Sequence, residues 1–360
     1  MRIVVDVNHP GHVQYMRNFV REMQGRGHEV LITATRKDVS FQLLDRYGLD
    51  YVPLGSYGHT LFSKLVNLPL IDLRALAVMG RFRPDIIVGA CSIRASHVSR
   101  ILRKPSISLD DTEHATLVDH LYMPFTDVVL TPGSYKKDIG RKQVRYDGFT
   151  QLAHTHPRRF KPDPSVLEGL GLKEGELFSV VRLVSWDASH DIGHHGIDDP
   201  ARVVRELERF GRVFVSSEGP LDGRLEPYRL IIPPEKFLDV LYYSTLYFGE
   251  GGTTAIEAAL LGTHAIHLST TAKYCGVFDD LHAYGLLWIS EDTNAALGQA
   301  KALLASAGLK GEGRAKLRRL LDDKIDVTRF LVWFVENYPE SFRAMREHPE
   351  VQYQFKGCTA

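Results

Sequence analysis

Short runs of β-branched residues alternate with helical segments along almost the whole chain of 360 residues. After each apolar run, apolar side chains recur at helical spacing until a glycine ends the segment. Strands that alternate with helices in this way belong to parallel sheets, so the pattern predicts an α/β fold with doubly wound sheets. The predicted strands are residues 2–7, 29–35, 51–54, 84–90, 105–110 and 127–132 in the first half and 177–184, 212–217, 229–233, 246–250 and 264–269 in the second.

The length of the chain favours two domains, because a single hydrophobic core rarely grows this large. We predict a first domain over 1–150 and a second over 166–326, each Rossmann-like. The polar, proline-bearing segment 151–165 lacks a sustained period and is the predicted linker. Residues 327–360 are predicted to form C-terminal helices, which either pack back on the first domain or simply cap the chain. Ligands of open α/β folds bind at the carboxyl ends of the strands, so we expect a cleft between the domains.

The charge balance excludes one class of partner. Lys plus Arg and Asp plus Glu number 44 each, so no overall field attracts nucleic acid. The cysteines, Cys91, Cys275 and Cys358, are far apart and outside any CxxC pattern, which favours a reduced, cytoplasmic compartment. The apolar run at the N-terminus is too short for a signal peptide, and no segment approaches the length of a membrane span.

One segment leaves a membrane question open. Residues 61–83 are apolar and include Lys64, Arg74, Arg81 and Arg83. Such a segment is typical of a helix buried against a sheet with a basic end. It also suits peripheral contact with a membrane surface or a lipid-linked acceptor.

Two loops that follow predicted strands contain candidate catalytic groups. His12 follows the first strand at a helix start, where a histidine can act as a general base near neutral pH. The alternative is that His9 or His12 caps the helix or faces water. Asp110, Asp111 and Glu113 crowd together after the strand at 105–110, and active sites use such clusters to shift pKa values. Helix capping is again the alternative, although a cap needs only one of these residues.

The second half offers an anion site. In the loop 182–196, Arg182 and His190 are predicted to contact an anion. A metal site is not favoured there, because Gly193 and the lack of a helix spoil the His190/His194 pair and no third ligand is apparent. The stretch "GEGGTTAIEAALLGT" (249–263) places glycines where a strand passes into a helix, which suits phosphate. A capping box formed by Thr254 and Glu257 is the structural alternative.

These features together resemble the GT-B fold of nucleotide-sugar enzymes, in which two Rossmann-like domains face a central cleft. "NHPGHV" (8–13) resembles the glycine–histidine loop of the N-acetylglucosaminyltransferase that makes lipid II, which implies that His12 is a catalytic base. "GEGGTTAIEAALLGTHAI" resembles a signature of that transferase and of the non-hydrolysing UDP-N-acetylglucosamine 2-epimerase. This resemblance implies that Glu257 binds ribose hydroxyls and that a diphosphate is held by Gly251, Gly252, Thr253 and Thr254.

The loops "LDDTEHA" and "RLVSWDASHD" are most similar to a prokaryotic family known as domain of unknown function 354, itself similar to GT-B enzymes. The resemblance implies a glycosyltransferase of surface polysaccharide or glycoconjugate synthesis that needs no metal or cofactor. Its substrates would be a nucleotide-sugar donor, such as a UDP-sugar, and a sugar or lipid-linked acceptor. A UDP-sugar 2-epimerase and a nucleotide-sugar-binding protein without turnover are the alternatives.

Overall fold

A computed structural model describes residues 1–58, 61–184 and 196–357 and divides them into two compact units. The first unit contains Met1–His154 and Lys324–Gly357, and the second contains Thr155–Asp323. The predicted linker therefore begins too early, because residues 151–154 are buried in the first unit. Residues 324–326, predicted to end the second domain, also belong to the first unit.

The first unit is built on a parallel sheet of seven strands in the order β3-β2-β1-β4-β5-β6-β7. The strands are β1 (Arg2–Val7), β2 (Glu29–Thr35), β3 (Tyr51–Gly55), β4 (Ile86–Ala90), β5 (Ser106–Leu109), β6 (Val128–Pro132) and β7 (Gln143–Tyr146). Its helices are α1 (Pro10–Gly25), α2 (Ser40–Arg46), α3 (Leu61–Phe82), α4 (Ile93–Leu102), α5 (Thr116–Tyr122), α14 (Val327–Glu336) and α15 (Glu340–Glu347), with the short α6 (Leu152–Thr155) at the boundary of the unit.

The second unit has a parallel sheet of five strands in the order β12-β11-β10-β8-β9. The strands are β8 (Phe178–Leu183), β9 (Arg212–Ser217), β10 (Leu246–Gly249), β11 (His264–Leu268) and β12 (Leu287–Ser290). The helices are α7 (Ser165–Gly169), α8 (Pro200–Leu207), α9 (Phe237–Tyr243), α10 (Gly252–Leu260), α11 (Gly276–Ala283), α12 (Thr293–Leu304) and α13 (Leu309–Asp323).

The sheets form where β-branched runs can be buried on both faces, as parallel sheets require. Val4 in β1 is fully buried and pairs with Leu31 of β2 on one side and Ile87 of β4 on the other. Val4 and Ile87 belong to a core cluster to which α3 contributes Ile71, Ala75 and Met79. This packing places the carboxyl ends of β1, β4 and β5 next to one another at one edge of the sheet.

The structure confirms the predicted α/β architecture, with some local errors. The predicted strand at 229–233 is wrong, because Arg229 makes only an isolated bridge to Val215 and two prolines follow at 233 and 234. Strands β7 and β12 were not predicted. In the described part of the chain, no helix is both long and apolar enough to cross a membrane.

Candidate functional site

The loop after β1 presents His12 in the first turn of α1. His9 is the N-cap residue, and its Nδ1 accepts the Gly11 N–H at 3.1 Å, so the capping role belongs to His9. The His12 ring lies between His9 and Tyr15, with centroid distances of 5.7 and 6.0 Å. Its Nδ1 is buried, and no hydrogen-bond partner for it exists among the described residues. The ring therefore has one nitrogen whose hydrogen-bonding capacity is unsatisfied among the described residues.

The electrostatic surroundings keep His12 neutral. Burial and, to a smaller extent, the positive charges of Lys37 and Arg94 lower the pKa of His12 to about 3. A neutral imidazole can accept a proton at any pH from the acidic range upwards. The predicted role of His12 as a base stays a prediction.

Asp110 follows β5 and is almost completely buried, with 2 % of its surface exposed. Its Oδ2 accepts the hydroxyl of Tyr122 and, at 3.4 Å, that of Tyr135, while its Oδ1 accepts the Thr112 N–H at 2.9 Å. Burial raises the pKa of Asp110 to about 7, although the hydrogen bonds from Tyr122 and Thr112 oppose that rise. Asp110 thus titrates near neutral pH.

Asp111 connects the acidic loop with the loop after β1. The Gln151 amide donates to Asp111 Oδ2 at 3.0 Å and to the Tyr15 hydroxyl at 3.2 Å, and the Tyr15 ring contacts His12. Burial raises the pKa of Asp111 as well. The structure therefore brings His12 and Asp111 together through Tyr15 and Gln151, which the sequence alone did not indicate.

Glu113, the third acidic candidate, is nearly fully buried and accepts the backbone N–H of Lys136 at 3.0 Å. This bond ties the acidic loop to the segment after β6. None of Asp110, Asp111 and Glu113 is an N-cap, because α5 begins at Thr116 with Ala115 as its N-cap residue. Capping therefore does not account for the cluster.

A buried ion pair beneath the His12 loop was missed at the sequence level. Asp6 and Arg94 are both fully buried, and the Arg94 Nε donates to Asp6 Oδ1 at 2.7 Å. Arg94 also donates to the Val7 carbonyl at 2.8 Å, just before the loop begins. Thr33 and Ser92 donate to the same carboxylate, so the pair is well satisfied. The sequence does contain one sign of this pair, since Asp6 is a charged residue inside the apolar run "RIVVDV".

In the second unit, α10 begins at Gly252 directly after β10, with Gly251 as its N-cap residue. Ala255 N–H makes the first helical bond, to the Gly251 carbonyl at 2.9 Å. The preceding N–H groups, those of Gly252, Thr253 and Thr254, point out of the helix start, where a phosphate binds favourably. The buried Tyr247 hydroxyl donates to the Gly251 carbonyl at 3.0 Å and fixes this turn.

The glycines of this motif also have packing roles. A Cβ on Gly249 would lie 2.6 Å from the Arg182 carbonyl oxygen, and one on Gly252 would lie 3.1 Å from the Phe278 ring. The predicted capping box is wrong, because Thr254 lies inside the helix rather than at its N-cap. Glu257 lies one turn further along α10 and is buried, with 7 % of its surface exposed. The structure thus leaves its predicted contact with ribose untested but removes the capping alternative.

Arg182 ends β8 beside this turn. Its guanidinium donates to Ser216 Oγ at 2.6 Å and forms an ion pair with Glu218 at 2.7 Å. A Cβ on Gly251 would lie 3.3 Å from the Arg182 Cγ, so the side chain passes close to the start of α10. An anion here would share Arg182 with Glu218. His190, its predicted companion, lies outside the described residues.

Glu250, between β10 and α10, was not predicted as a site residue. Its carboxylate accepts the N–H of Val184 at 2.9 Å and that of Ile197 at 2.5 Å. Glu250 thereby fixes the backbone just after β8 and just before α8. Within the described ranges, no three His, Cys, Asp or Glu side chains are grouped so as to hold a metal, and the cluster at 187–195 lies outside them.

Two cavities lie away from these residues. One of about 600 Å³ in the second unit is lined by Leu177, Arg212, Phe214 and Tyr228, among others. One of about 510 Å³ in the first unit is lined by basic and aromatic side chains, Arg100, Arg103, Lys104, Phe125 and Tyr338 among them. Neither includes a predicted site residue.

Sequence comparison identifies the family. The sequence model of the proteins of unknown function DUF354 matches residues 1–338. The chain belongs to the DUF354 family. An uncharacterized protein of Methanocaldococcus jannaschii is 24 % identical over 271 residues, which is 72 % of this chain and 79 % of that protein. The UDP-N-acetylglucosamine–N-acetylmuramyl-(pentapeptide) pyrophosphoryl-undecaprenol N-acetylglucosamine transferase of Desulfotalea psychrophila is 32 % identical over 100 residues, or 25 % of this chain and 27 % of the transferase.

Solved structures show the fold of this DUF354 protein. A Streptomyces glycosyltransferase, SsfS6 in complex with thymidine diphosphate, matches with a TM-score of 0.59 at 16 % identity over 93 % of this chain and 99 % of that one. The UDP-GlcNAc 2-epimerase of Neisseria meningitidis, bound to UDP-GlcNAc, matches with a TM-score of 0.59 at 14 % identity over 88 % and 97 %. The predicted GT-B fold, with two Rossmann-like units, is therefore confirmed.

Proposed function

We propose that this DUF354 protein is a nucleotide-sugar-dependent glycosyltransferase that needs no metal and acts in the synthesis of surface polysaccharide or a glycoconjugate. The observation on which this proposal rests is the start of α10. Three N–H groups precede the first helical bond there, and the buried carboxylate of Glu257 follows one turn later. A diphosphate suits the N–H groups, and the hydroxyls of a ribose suit the carboxylate.

In the proposed reaction, the acceptor hydroxyl loses its proton to a base and attacks the sugar carbon, and the bond to the nucleotide diphosphate breaks. His12 is the first candidate for this base, because it is neutral and its Nδ1 is unoccupied among the described residues. The positive end of α10 and Arg182 would stabilise the negative charge that grows on the leaving diphosphate. The carboxylates of the acidic loop are the other candidates.

One observation favours an epimerase as a second candidate. Asp110 is buried and Asp111 is half-buried, and the pKa of each is raised, that of Asp110 to about 7. A carboxyl group that titrates near neutral pH can both take and return a proton, as moving a proton at a sugar carbon requires. The two activities separate in one assay, since an epimerase isomerises UDP-N-acetylglucosamine without an acceptor and a transferase does not.

The test of the proposed function is a thermal-shift panel of nucleotides and nucleotide sugars. A ligand at 100 times its Kd stabilises the folded protein by about 2.7 kcal/mol, so the right compound raises the melting temperature measurably. Glu257→Gln should weaken binding of the best compound by about 1–3 kcal/mol, because a charged hydrogen bond is lost. Glu291→Gln, an exposed carboxylate of the same unit, is the control.

Two results would contradict the proposal. If no nucleotide or nucleotide sugar shifts the melting temperature, the nucleotide site is absent. If Glu257→Gln binds as tightly as the wild type, Glu257 does not contact the ligand. Tight binding with neither transfer, isomerisation nor hydrolysis would instead identify a nucleotide-sugar-binding protein without turnover.

We also propose that the acceptor is a sugar or a lipid-linked sugar and that the reaction takes place in the cytoplasm at a membrane surface. Support comes from the outer side of α3, α4 and α5. α3 is buried through Ile71 and Met79, but its other face exposes large apolar side chains. Six exposed large apolar residues belong to these helices or follow them directly: Val66, Leu70, Leu73, Ile101, Leu117 and Phe125. Apolar side chains among exposed arginines are typical of surfaces that rest on anionic lipid.

His97 of α4 connects α3 with α5 and with Phe125. Its Nδ1 bonds to Asp72 of α3 at 2.8 Å, and its Nε2 bonds to the Leu121 carbonyl of α5 at 3.0 Å. Phe125 packs edge-on against the His97 ring at 4.8 Å. Leu73 neighbours Asp72 in sequence, and Ile101 lies one helical turn after His97. Phe125 also lines the basic cavity of Arg100, Arg103 and Lys104.

Flotation with lipid vesicles tests this contact. The protein should float with vesicles that contain phosphatidylglycerol and much less with pure phosphatidylcholine, and added salt should reduce the bound fraction. The double variant Leu70→Ser/Leu73→Ser should lose most of the bound fraction. Ile231→Ser, which removes an equally large side chain that is 80 % exposed in the second unit, is the control and should float normally. Equal flotation of the double variant and the wild type would contradict the proposed surface.

A further inference from the structure

His267 occupies a position that no sequence feature singled out. It lies in β11, where its backbone pairs with that of Gly249 in β10, and 3 % of its surface is exposed. Its ring stacks on Phe278 of α11, with 4.8 Å between the ring centroids. Its Nδ1 lies 3.3 Å from the Gly249 carbonyl oxygen. A carbonyl oxygen only accepts, so Nδ1 carries the proton and Nε2 is a lone-pair acceptor in the neutral ring.

The other nitrogen faces the first residue of α10. A Cβ placed on Gly252 would lie 3.5 Å from the Nε2 of His267 and 3.1 Å from the Phe278 ring. His267 Nε2 therefore lies close to Gly252, at the helix start where a phosphate would bind. No hydrogen bond of Nε2 occurs in the part of the chain that the structure describes.

Burial makes His267 neutral in the free protein. It lowers the pKa of His267 to about 4, and the bond to the Gly249 carbonyl only partly offsets this effect. Two of the charged side chains around β11 are engaged, since Glu250 binds two backbone N–H groups and Lys316 pairs with Glu312. The ionisable groups on β11 and around it and the His267 ring are Tyr247, Glu250, Glu257, His264, Asp279, Asp280, His282, Lys301, Lys310, Glu312, Arg314, Lys316, Arg318, Arg319, Asp322 and Asp323.

We propose that His267 makes diphosphate binding proton-linked. The ring is neutral in the free protein, takes one proton from solvent when the ligand binds, and then donates from Nε2–H to a phosphate oxygen. The proton adds to Nε2 while Nδ1–H stays on the Gly249 carbonyl, so no tautomer change is needed. This inference rests on the proposed nucleotide site at α10. Within that site, His267 would favour ligands whose phosphate groups are negatively charged.

Two physical reasons support the linkage. A neutral Nε2 and a phosphate oxygen are both acceptors, so without a proton they repel each other at close range. A negative charge beside an imidazole in a poorly solvated site favours its protonated form, and phosphate supplies that charge. Binding and protonation therefore stabilise each other, and the affinity must fall as the pH rises from the pKa of the free ring to that of the ring in the complex.

Isothermal titration calorimetry with UDP-N-acetylglucosamine tests the proposal. The diphosphate of this probe is a diester and does not titrate between the acidic and the neutral range, so any proton taken up belongs to the protein. Titrations in buffers of different ionisation enthalpy should show uptake of up to one proton. The Kd should rise by at most about tenfold per pH unit between the pKa of His267 in the free protein, about 4, and its higher pKa in the complex.

His267→Asn is the decisive variant, because an asparagine amide can still donate to the Gly249 carbonyl but cannot take a proton. It should bind more weakly and lose the proton uptake. His282→Asn is the matched control, since His282 also bonds to a backbone carbonyl, that of Leu287 at 3.0 Å, through its Nδ1. That variant should keep the uptake. If His267→Asn does not fold, His267→Gln replaces it.

The outcomes separate the two proposals. Binding by the wild type without proton uptake, or uptake that persists in the folded His267 variant, would overturn the role of His267 and leave the nucleotide site intact. If neither UDP nor UDP-N-acetylglucosamine binds the wild type at any pH and the wider nucleotide panel also fails, the proposed function falls, and this inference with it.

Discussion

Asp110→Asn should change how the stability of the protein depends on pH. Asp110 is 2 % exposed, and its pKa rises from 3.8 to about 7 because burial disfavours the charged carboxylate. Below pH 4 the carboxyl is protonated in both the folded and the unfolded chain. As the pH rises from 4 to 7, the unfolded chain loses this proton and the folded chain retains it. The contribution of Asp110 to the free energy of unfolding is therefore complete at low pH and is lost as the pH rises through about 7.

The magnitude follows from the shift in pKa. A difference of about three units, at about 1.4 kcal/mol per unit, corresponds to about 4 kcal/mol of unfolding free energy. Asparagine cannot ionise, although its amide oxygen can still accept the Tyr122 hydroxyl. The wild type should therefore lose about 3–4 kcal/mol relative to the variant between pH 4 and pH 7. The prediction concerns how the free energy of unfolding changes with pH and not its absolute value, because the variant also loses hydrogen bonds at every pH.

Urea unfolding followed by fluorescence at several pH values measures the effect. Carboxyl groups distant from residue 110 titrate alike in both proteins, so their contributions cancel in the difference. Asp50→Asn, which changes an exposed carboxyl group of the same unit, is the control and should follow the wild type. Parallel stability curves for wild type and Asp110→Asn would refute the conclusion that burial holds Asp110 protonated.

Three further predictions concern the base, the metal and the β10 turn. His12→Ala should lower turnover about 10²–10⁴-fold and leave the affinity for the donor nearly unchanged. Because the pKa of His12 is about 3, His12 adds no acid limb to the pH–rate profile between pH 5 and 8. Normal turnover of His12→Ala, or a wild-type rate that rises through pH 7 and vanishes in Asp110→Asn, would place the base in the acidic loop. Activity should survive EDTA; a loss that Mg²⁺ or Mn²⁺ reverses would contradict the metal-independent mechanism and direct attention to residues 187–195. Gly249→Ala should lower the free energy of unfolding by about 1–3 kcal/mol in thermal unfolding, because the new Cβ would lie 2.6 Å from the Arg182 carbonyl oxygen. Gly298→Ala on α12, where the new Cβ has open space around it, should not lower it.

The sequence by itself determined the fold class and the position of the turn between β10 and α10. The runs at 2–7, 29–35 and 212–217 form strands with the predicted bounds, because burial of β-branched residues on both faces of a parallel sheet is written into the local pattern. The turn from strand to helix was also placed correctly, since glycine and a following helix former are local signals. The alternative capping box at Thr254 was wrong: α10 begins at Gly252, because the end of β10 decides where the turn starts.

The chemistry of the candidate residues was decided only by the tertiary structure. Asp6 and Arg94 stand 88 positions apart in the chain, and nothing in their spacing announces a buried ion pair. His12 is neutral because of burial and because of charges on Lys37 and Arg94, and Asp110 is held by Tyr122 and Tyr135 from later segments. His267 faces α10 only because β10 and β11 pair in register. A pKa depends on the solvent and charges within a few ångströms, and the packing of segments distant in sequence sets both of these.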